Sequence, residues 1–269
     1  MEDLILPAII LGAVQGLTEF FPVSSTAHLI VLPRLLGWNN PLLNSLSFEV
    51  ALHAGTLAAL LIAFRSEWVR IAPGLLKPRS KPGKFAWGLV LATIPAVIAG
   101  ALLEKPAEGA LRITLFVAFF LGIGAILLWW ADARRQGRAR AEKTGPGTAV
   151  LIGCAQAFAI LPGLSRSGMT ITAGLALGLS RREAARYSFL LSTPLIAAAV
   201  TWKLRHLHSL GTGEWMPMLA GTLSASLTGI LAIRWLLKLA ESMGYRPFAA
   251  YRLLLAASIV IWAVFRGIP

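Results

Sequence analysis

Six apolar runs, at 45–64, 84–103, 111–131, 187–203, 215–237 and 248–265, recur along this chain of 269 residues. A helix needs about 20 apolar residues to cross the hydrocarbon core of a bilayer. Each run is long enough, or nearly so, and the expected fold is an all-α polytopic membrane protein with six transmembrane helices. Composition agrees: 57% of residues are hydrophobic and 14% charged, and the mean hydropathy is +0.71, too apolar for a soluble domain of this length. The formal charge of +13 does not point to nucleic acid, because the lysines and arginines cluster in short segments between apolar runs, as topology-setting loops do. The opening "MEDLILPAII" lacks the basic front and small-residue cleavage site of a signal peptide, so the first apolar run is expected to be retained. The lone Cys154 cannot form an internal disulfide and reads as a small packing residue.

Two regions depart from the spanning template. Leu4 to Phe21 is apolar, Pro22 to Thr26 is polar, and the shorter run "AHLIVLPRLLGW" follows. At about 1.5 Å per residue that second run covers roughly half a bilayer, which predicts a re-entrant hairpin. Thr148 to Leu179 repeats the design with "PGLSRSG" at its turn. The two regions read as copies. Gly12-x-x-Gln15, Pro22 and a serine-rich turn match Gly153-x-x-Gln156, Pro162 and a serine-rich turn, and "FEVALHAGTLAA" falls over "YSFLLSTPLIAA". Within one membrane domain, 1–131 and 148–269 are therefore two repeats, each a hairpin plus three spanning helices. Three is odd, so the second repeat is inverted.

Loop charge tests that topology. Arg65, Arg70, Lys77, Arg79, Lys81 and Lys84 fall in one loop, Arg134, Arg135, Arg138, Arg140 and Lys143 in the central linker, and Arg181, Arg182 and Arg186 at the exit of the second hairpin. All three lie on one side, which the positive-inside rule makes cytoplasmic. Loops 104–110 and 204–214 are poorer in lysine and arginine and fall outside, as do both termini. The hairpins then enter from opposite faces, and their polar tips meet near mid-membrane.

A non-helical turn at membrane depth survives only when buried in protein or lining a wet cavity. Each tip also starts a helix: Ser24, Ser25 and Thr26 precede one, Ser165, Ser167 and Gly168 the other. Helix N-termini offer unpaired N–H donors and the positive dipole end, so two of them facing one cavity make an anion site. Arg166 adds a planar, permanently charged fork suited to phosphate; the rival role is a buried partner for Glu19. Gln15 and Glu19, four apart, share a helix face, where the carboxylate is placed to bind a divalent cation or activate a water. His28, in the first turn after "SST", is poised as base or acid, unless it is only a satisfied polar residue. Glu49 and His53 either line the cavity or cap its outer mouth, and their role stays open. Arg234 and Arg252 read as snorkelling or pairing inside the bundle.

The stretches "QGLTEFFPVSSTAH" and "LPGLSRSGMT", with the repeat around them, resemble the integral-membrane undecaprenyl-pyrophosphate phosphatases, the family linked with bacitracin resistance. The resemblance spans essentially the whole chain. It implies hydrolysis of a C55 polyprenyl diphosphate to its monophosphate and inorganic phosphate, dependent on Mg²⁺ or Ca²⁺, in the bacterial inner membrane. The product is the recycled lipid carrier for peptidoglycan and other cell-wall polysaccharides. Carried over by position, Glu19 is the essential acidic residue, Ser25 the nucleophile, His28 its acid/base partner and Arg166 the diphosphate clamp, with Ser24, Thr26, Ser165, Ser167 and Thr170 binding substrate. Glu19 and Gln15 are the metal positions; some relatives carry glutamate where this chain has Gln15, so a two-carboxylate site is not expected here. Attack by Ser25 and attack by a cation-activated water both stay open, as does a homodimer. The resemblance places the active site at the outer face.

A carrier that flips polyprenyl phosphate is the alternative, because inverted repeats with broken helices are also a transporter design. The Ser/His/Glu cluster of the first hairpin is unmatched in the second, where Ile160 and Thr170 stand near the corresponding places. That asymmetry favours chemistry over pure transport.

Overall fold

The structure, a computed structural model, describes residues 4–108, 113–134, 137, 139–203 and 214–266, with 104–108 as backbone only. It is all-α. The described elements are α1 (Ile5–Phe20), α2 (Ser25–Leu36), α3 (Leu46–Ala63), α4 (Arg65–Ile71), α5 (Lys81–Glu108), α6 (Thr114–Ala133), α7 (Pro146–Ala157), α8 (Arg166–Ala176), α9 (Arg181–Lys203), α10 (Trp215–Ser242) and α11 (Arg246–Arg266). Arg135, Arg138 and residues 109–110 and 204–213 lie outside the described residues, and 104–108, expected in a loop, continue α5.

Among the described residues, five helices are long and apolar enough to cross a membrane: α3, α5, α6, α10 and α11. Their outward faces carry large apolar side chains, such as Leu227, Leu254, Val264 and Phe265, all more than half exposed. Such surface is stable against lipid and not against water. The chain is a multi-pass membrane protein.

The sixth expected span, 187–203, is helical within α9 but is not among these five. At 23 residues α9 is about 34 Å long, enough to cross. Its composition differs because its neighbours are protein. Arg181, Arg182, Glu183 and Arg186 open it, and Ser188, Ser192 and Thr193 are buried in its middle. It packs on α3, α5, α8 and α10, with Phe189 edge-on to Phe20 at 5.5 Å and tilted against Phe64 at 6.2 Å. Over its first half, where other helices enclose it, α9 needs no lipid-compatible face.

The two hairpin regions fold as short helix pairs. α1 and α2 have 16 and 12 residues, α7 and α8 have 12 and 11, so none of the four exceeds about 24 Å. Their packing partners come in matching pairs: α1 lies on α10 and α7 on α5, while α3 meets α9 and α6 meets α11. The matched glycines explain the closeness. A Cβ on Gly12 would sit 2.2 Å from Gly221 O, and one on Gly153 would sit 2.2 Å from Ala92 O. Only a residue without a side chain allows that approach.

The basic segments gather at one end. Arg186 on α9 binds Glu67 of α4, Glu142 of the linker and Glu183, and Arg70 reaches Glu142 at 3.4 Å. Arg181 clasps the buried Asp132 of α6 at 2.7 Å, and the same carboxylate accepts the N–H of Tyr245 at the start of α11.

Candidate active site

Both polar turns end on a serine in an unusual backbone conformation. Ser24 (φ 73°, ψ 94°) and Ser165 (φ 67°, ψ 115°) are the non-glycine residues with positive φ among those described. Such conformations cost about 1–3 kcal/mol each and persist only where the surroundings over-determine them. Each serine is an N-cap: Ser24 Oγ accepts from Ala27 N at 3.4 Å, and Ser165 Oγ from Gly168 N at 3.1 Å. Ser24 follows Gly12, and Ser165 follows Gly153, by the same twelve positions. The one-residue offset between Pro22 and Pro162 is thus absorbed inside the turns, where α1 runs on to Phe20 but α7 gives way to the 3₁₀ segment Phe158–Ile160.

This register brings Ser25 and Arg166, each the first residue of its helix, to one carboxylate. Glu19 Oε1 accepts from Arg166 Nη2 at 2.7 Å; Glu19 Oε2 accepts from Ser25 Oγ at 2.6 Å and from Gln15 Nε2 at 3.2 Å. His53 Nε2 stands 3.8 Å from the same Oε2. Ser167 Oγ crosses between the hairpins to Phe21 O at 3.1 Å, and lies 3.3 Å from Ser165 Oγ. Thr170 Oγ1 bonds Arg166 O at 2.9 Å and Ser188 Oγ at 2.6 Å, which holds the α8 start against α9. Glu19, Ser24, Ser25, Arg166, Ser165 and Ser167 face a polar cavity of about 200 Å³. Thr26 lines it too, and also borders a second cavity of about 420 Å³ whose walls include Ala96, Val97, Gly100, Leu195 and Trp202. The two cavities share Ala159, Leu195 and Ala199. A polar chamber thus opens into an apolar trough between α5 and α9.

Most of the residues singled out from the sequence meet here; His28 does not. Its Nδ1 lies 2.7 Å from Ser24 O, an acceptor, so Nδ1 carries a hydrogen; its Nε2 lies 2.7 Å from Tyr251 Oη. The i−4 carbonyl holds the ring along the helix wall toward α11, outside the residues lining the polar cavity. The group bonded to Ser25 Oγ is Glu19, not His28. Glu49 borders the apolar trough, and its backbone carbonyl accepts from His53 Nδ1 at 2.8 Å, which turns Nε2 toward Glu19. His53 lines the polar cavity. Its place there was signalled by the i, i+4 pairing with Glu49, though its sequence distance from the turns gave no partner. Arg234 is exposed, and Arg252 is fully buried on turn carbonyls rather than at a helix end.

For a cation the donor set is small. Gln15 Oε1 is buried with no hydrogen-bond partner, one helical turn from Glu19. Among the described residues no group of three His, Cys, Asp or Glu side chains gathers around one point. Once the Gln15 amide rotates to turn Oε1 rather than Nε2 toward Glu19, a hard oxygen beside a carboxylate fits Mg²⁺ or Ca²⁺ better than a softer metal.

Residues 8–258 match the family model described as bacitracin resistance protein BacA. A protein of Moorella thermoacetica named undecaprenyl-diphosphatase is 44% identical over 259 residues, 95% of this chain and 97% of its own. One of Chromohalobacter salexigens with the same name is 42% identical over 96% of this chain and 98% of its own. The undecaprenyl-diphosphatase 2 of Stutzerimonas stutzeri is 43% identical over 98% and 99%. With the match running through both turns and nearly every helix, this chain belongs to the BacA bacitracin resistance protein family.

Proposed function

We propose that this protein is an undecaprenyl-diphosphatase, releasing inorganic phosphate from undecaprenyl diphosphate and returning the monophosphate carrier to cell-wall synthesis. Its full-length kinship with proteins of that name supports the activity. The observation that carries the mechanism is a single buried carboxylate, Glu19, bonded at once to a hydroxyl of one turn and a guanidinium of the other.

The diphosphate enters the polar cavity with its terminal phosphate between the N-termini of α2 and α8. Arg166 exchanges its bond with Glu19 for phosphate oxygens, for which its fork is better matched than an ammonium. Glu19 takes the proton of Ser25 Oγ along their 2.6 Å hydrogen bond. Ser25 Oγ bonds to the terminal phosphorus, and the bond from that phosphorus to the bridging oxygen breaks. Undecaprenyl phosphate leaves with the electron pair. The leaving phosphate takes that proton from Glu19, and the restored carboxylate draws a proton from a water that attacks the phosphoserine; the bond from phosphorus to Oγ breaks, Ser25 Oγ recovers a proton from Glu19, and inorganic phosphate leaves. Positive groups placed where charge develops account for most of the rate in such transfers. A divalent cation, Mg²⁺ or Ca²⁺, would be held by Glu19 and Gln15 Oε1 and would add positive charge at the phosphate oxygens. Direct attack by water is the competing route; trapping phosphorylated Ser25 favours the first, and near-normal turnover by Ser25→Ala removes it.

The prenyl tail runs through the apolar trough between α5 and α9, past Val97, Gly100 and Trp202, and out into lipid. These residues lie toward the C-terminal ends of both helices, the ends that loop charge assigns to the outer face. The matching topology has α9 as the sixth crossing, α1–α2 and α7–α8 as re-entrant hairpins, 1–131 and 148–269 as inverted repeats, and both termini outside. The paired packing of α1 on α10 and α7 on α5 supports that reading.

Paired packing is also what a flippase would have. The site itself is not paired: across the matched turns Ser25 stands opposite Arg166, and Glu19 opposite Ile160. Phosphate release by purified protein in detergent, with and without a chelator, separates the two. An enzyme liberates phosphate from C55 diphosphate without a gradient, and Glu19→Gln and Arg166→Ala abolish it; a carrier liberates none.

A further inference from the structure

Arg252, on α11, touches neither cavity and is 0% exposed. Its guanidinium ends behind the two turns. Nη1 donates to Pro22 O of the first at 3.4 Å, and Nη2 donates to Gly163 O at 3.1 Å and Leu164 O at 2.9 Å of the second. Nε has no partner, and among the described residues no carboxylate pairs with this charge. A buried charge answered only by carbonyl dipoles is expensive to keep.

The molecule nevertheless builds a space for it. A Cβ on Gly124 of α6 would sit 2.1 Å from Nη2, and one on Gly168 of α8 would sit 2.7 Å from Nη1. Glycines on two other helices therefore leave the volume that the guanidinium fills. The carbonyls it holds lie one or two residues before the strained serines: Pro22 stands two before Ser24, and Gly163 and Leu164 stand two and one before Ser165. In a trans peptide the N–H points away from the C=O. Drawing Leu164 O onto Arg252 turns the Ser165 N–H to the opposite side of the turn, and Ser165 lines the polar cavity.

We infer that Arg252 is a positioning residue for phosphoryl transfer, which locks the two turns to each other through their carbonyls and sets an uncompensated positive charge behind the site that receives the diphosphate. The inference rests on the reading of that site as a diphosphate site. Its two parts separate experimentally. The charge acts on affinity for the diphosphate group, whereas the fork that grips three carbonyls acts on alignment and hence on turnover.

The test uses full-length protein in detergent: wild type, Arg252→Met, Arg252→Lys and Gly124→Ala, each checked for a monodisperse elution profile and a cooperative thermal transition. Phosphate release from C55 diphosphate gives kcat and KM, and inorganic pyrophosphate is the competitive probe. Arg252→Met is expected to lower kcat at least about 100-fold, the loss typical of a removed electrostatic or alignment element, and to weaken pyrophosphate inhibition about 10-fold. Arg252→Lys restores pyrophosphate inhibition to within about threefold but leaves kcat down about 10-fold or more, because a single ammonium does not reproduce the fork. Gly124→Ala displaces the fork and keeps the charge, so kcat falls while pyrophosphate inhibition is retained.

A folded Arg252→Met protein with kcat and pyrophosphate inhibition within about threefold of wild type overturns the inference. So does a lower melting temperature with unaltered kinetics per folded molecule, the signature of a merely structural residue. If Arg252→Met does not fold, Arg252→Lys and Gly124→Ala decide, and normal kcat in both refutes the role. Should wild type release no phosphate, the proposed activity has failed on its own account, and pyrophosphate binding to wild type, Arg252→Lys and Arg252→Met by calorimetry still reads the charge.

Discussion

Replacing Glu19 with glutamine changes one oxygen to an amide and leaves the volume nearly intact, so its consequences isolate the carboxylate. In the folded protein this side chain accepts from Arg166 at 2.7 Å and Ser25 at 2.6 Å, and all three residues are 12% exposed or less. Glutamine keeps one carbonyl oxygen for Arg166 but has no basicity with which to take the Ser25 proton. Loss of a positioned general base costs about 10²- to 10⁴-fold, and weaker cation binding adds to it. We expect kcat for phosphate release to fall about 10³- to 10⁴-fold, equivalent to roughly 4–5.5 kcal/mol of transition-state stabilisation. KM should not rise, because Arg166, no longer paired with a charge, meets the diphosphate at least as strongly. The assay is steady-state phosphate release from C55 diphosphate in detergent, with thermal unfolding as the control for folding. Turnover within tenfold of wild type, or a loss carried entirely by KM, refutes the assignment of Glu19 as the base.

Three further outcomes follow from the packing. Gly100 lines the apolar trough, and a Cβ there would meet nothing within 4 Å, so Gly100→Leu should fill the tail path, raising KM for the C55 substrate about tenfold while sparing a C15 diphosphate; equal effects on both chain lengths would place the tail elsewhere. Gly153→Ala presses a methyl to 2.2 Å from Ala92 O and should lower the melting temperature by several degrees, an overpacking cost of about 1–3 kcal/mol, whereas Gly147→Ala, which meets nothing within 4 Å, should not. In the linker, burial is the largest single influence on the Glu142 carboxyl and works to raise it, but the Arg186 hydrogen bond and charge, a backbone hydrogen bond and Arg70 together outweigh it and hold the group below its ordinary 4.5. Its contribution to stability is therefore present above about pH 4.5 and lost as pH falls through the lowered value, so Glu142→Gln should lower the melting temperature at neutral pH and flatten the acid limb, the two proteins converging once the wild-type carboxylate is protonated.

What could be read from residues alone follows their physical range. Hydropathy located α3, α5, α6, α10 and α11 because a lipid-facing helix must be apolar on its own. It also found the helical run in α9 but not its place. Arg186, Ser188, Ser192 and Thr193 are tolerated there because other helices surround them, a property of the assembly rather than of the segment. The spacing of Gly12 and Gly153 from their turns carried the repeat, since both glycines meet the same demand for close helix contact. The pairing of Glu19 with Arg166 was legible as a rival to phosphate binding, and the geometry is compatible with both: a carboxylate holds the guanidinium until a substrate takes it.

His28 shows the limit of proximity in sequence. It stands three residues from Ser25, close enough to serve that hydroxyl, yet its own i−4 carbonyl and Tyr251, 223 positions away, claim both ring nitrogens. Arg252 was still less legible. Its partners lie 88, 89 and 230 residues away and are backbone carbonyls, which leave no mark in side-chain chemistry.

Whether the two turns act as one site is measured most directly by a double-mutant cycle between Glu19 and Arg166 on kcat/KM. Glu19→Gln and Arg166→Ala are each expected to cost about 10³-fold or more, and the double variant no more than about tenfold beyond the worse single, as groups serving one transition state behave. A double variant whose loss equals the product of the two single losses would mean that the carboxylate of the first turn and the guanidinium of the second work independently, contrary to the shared site.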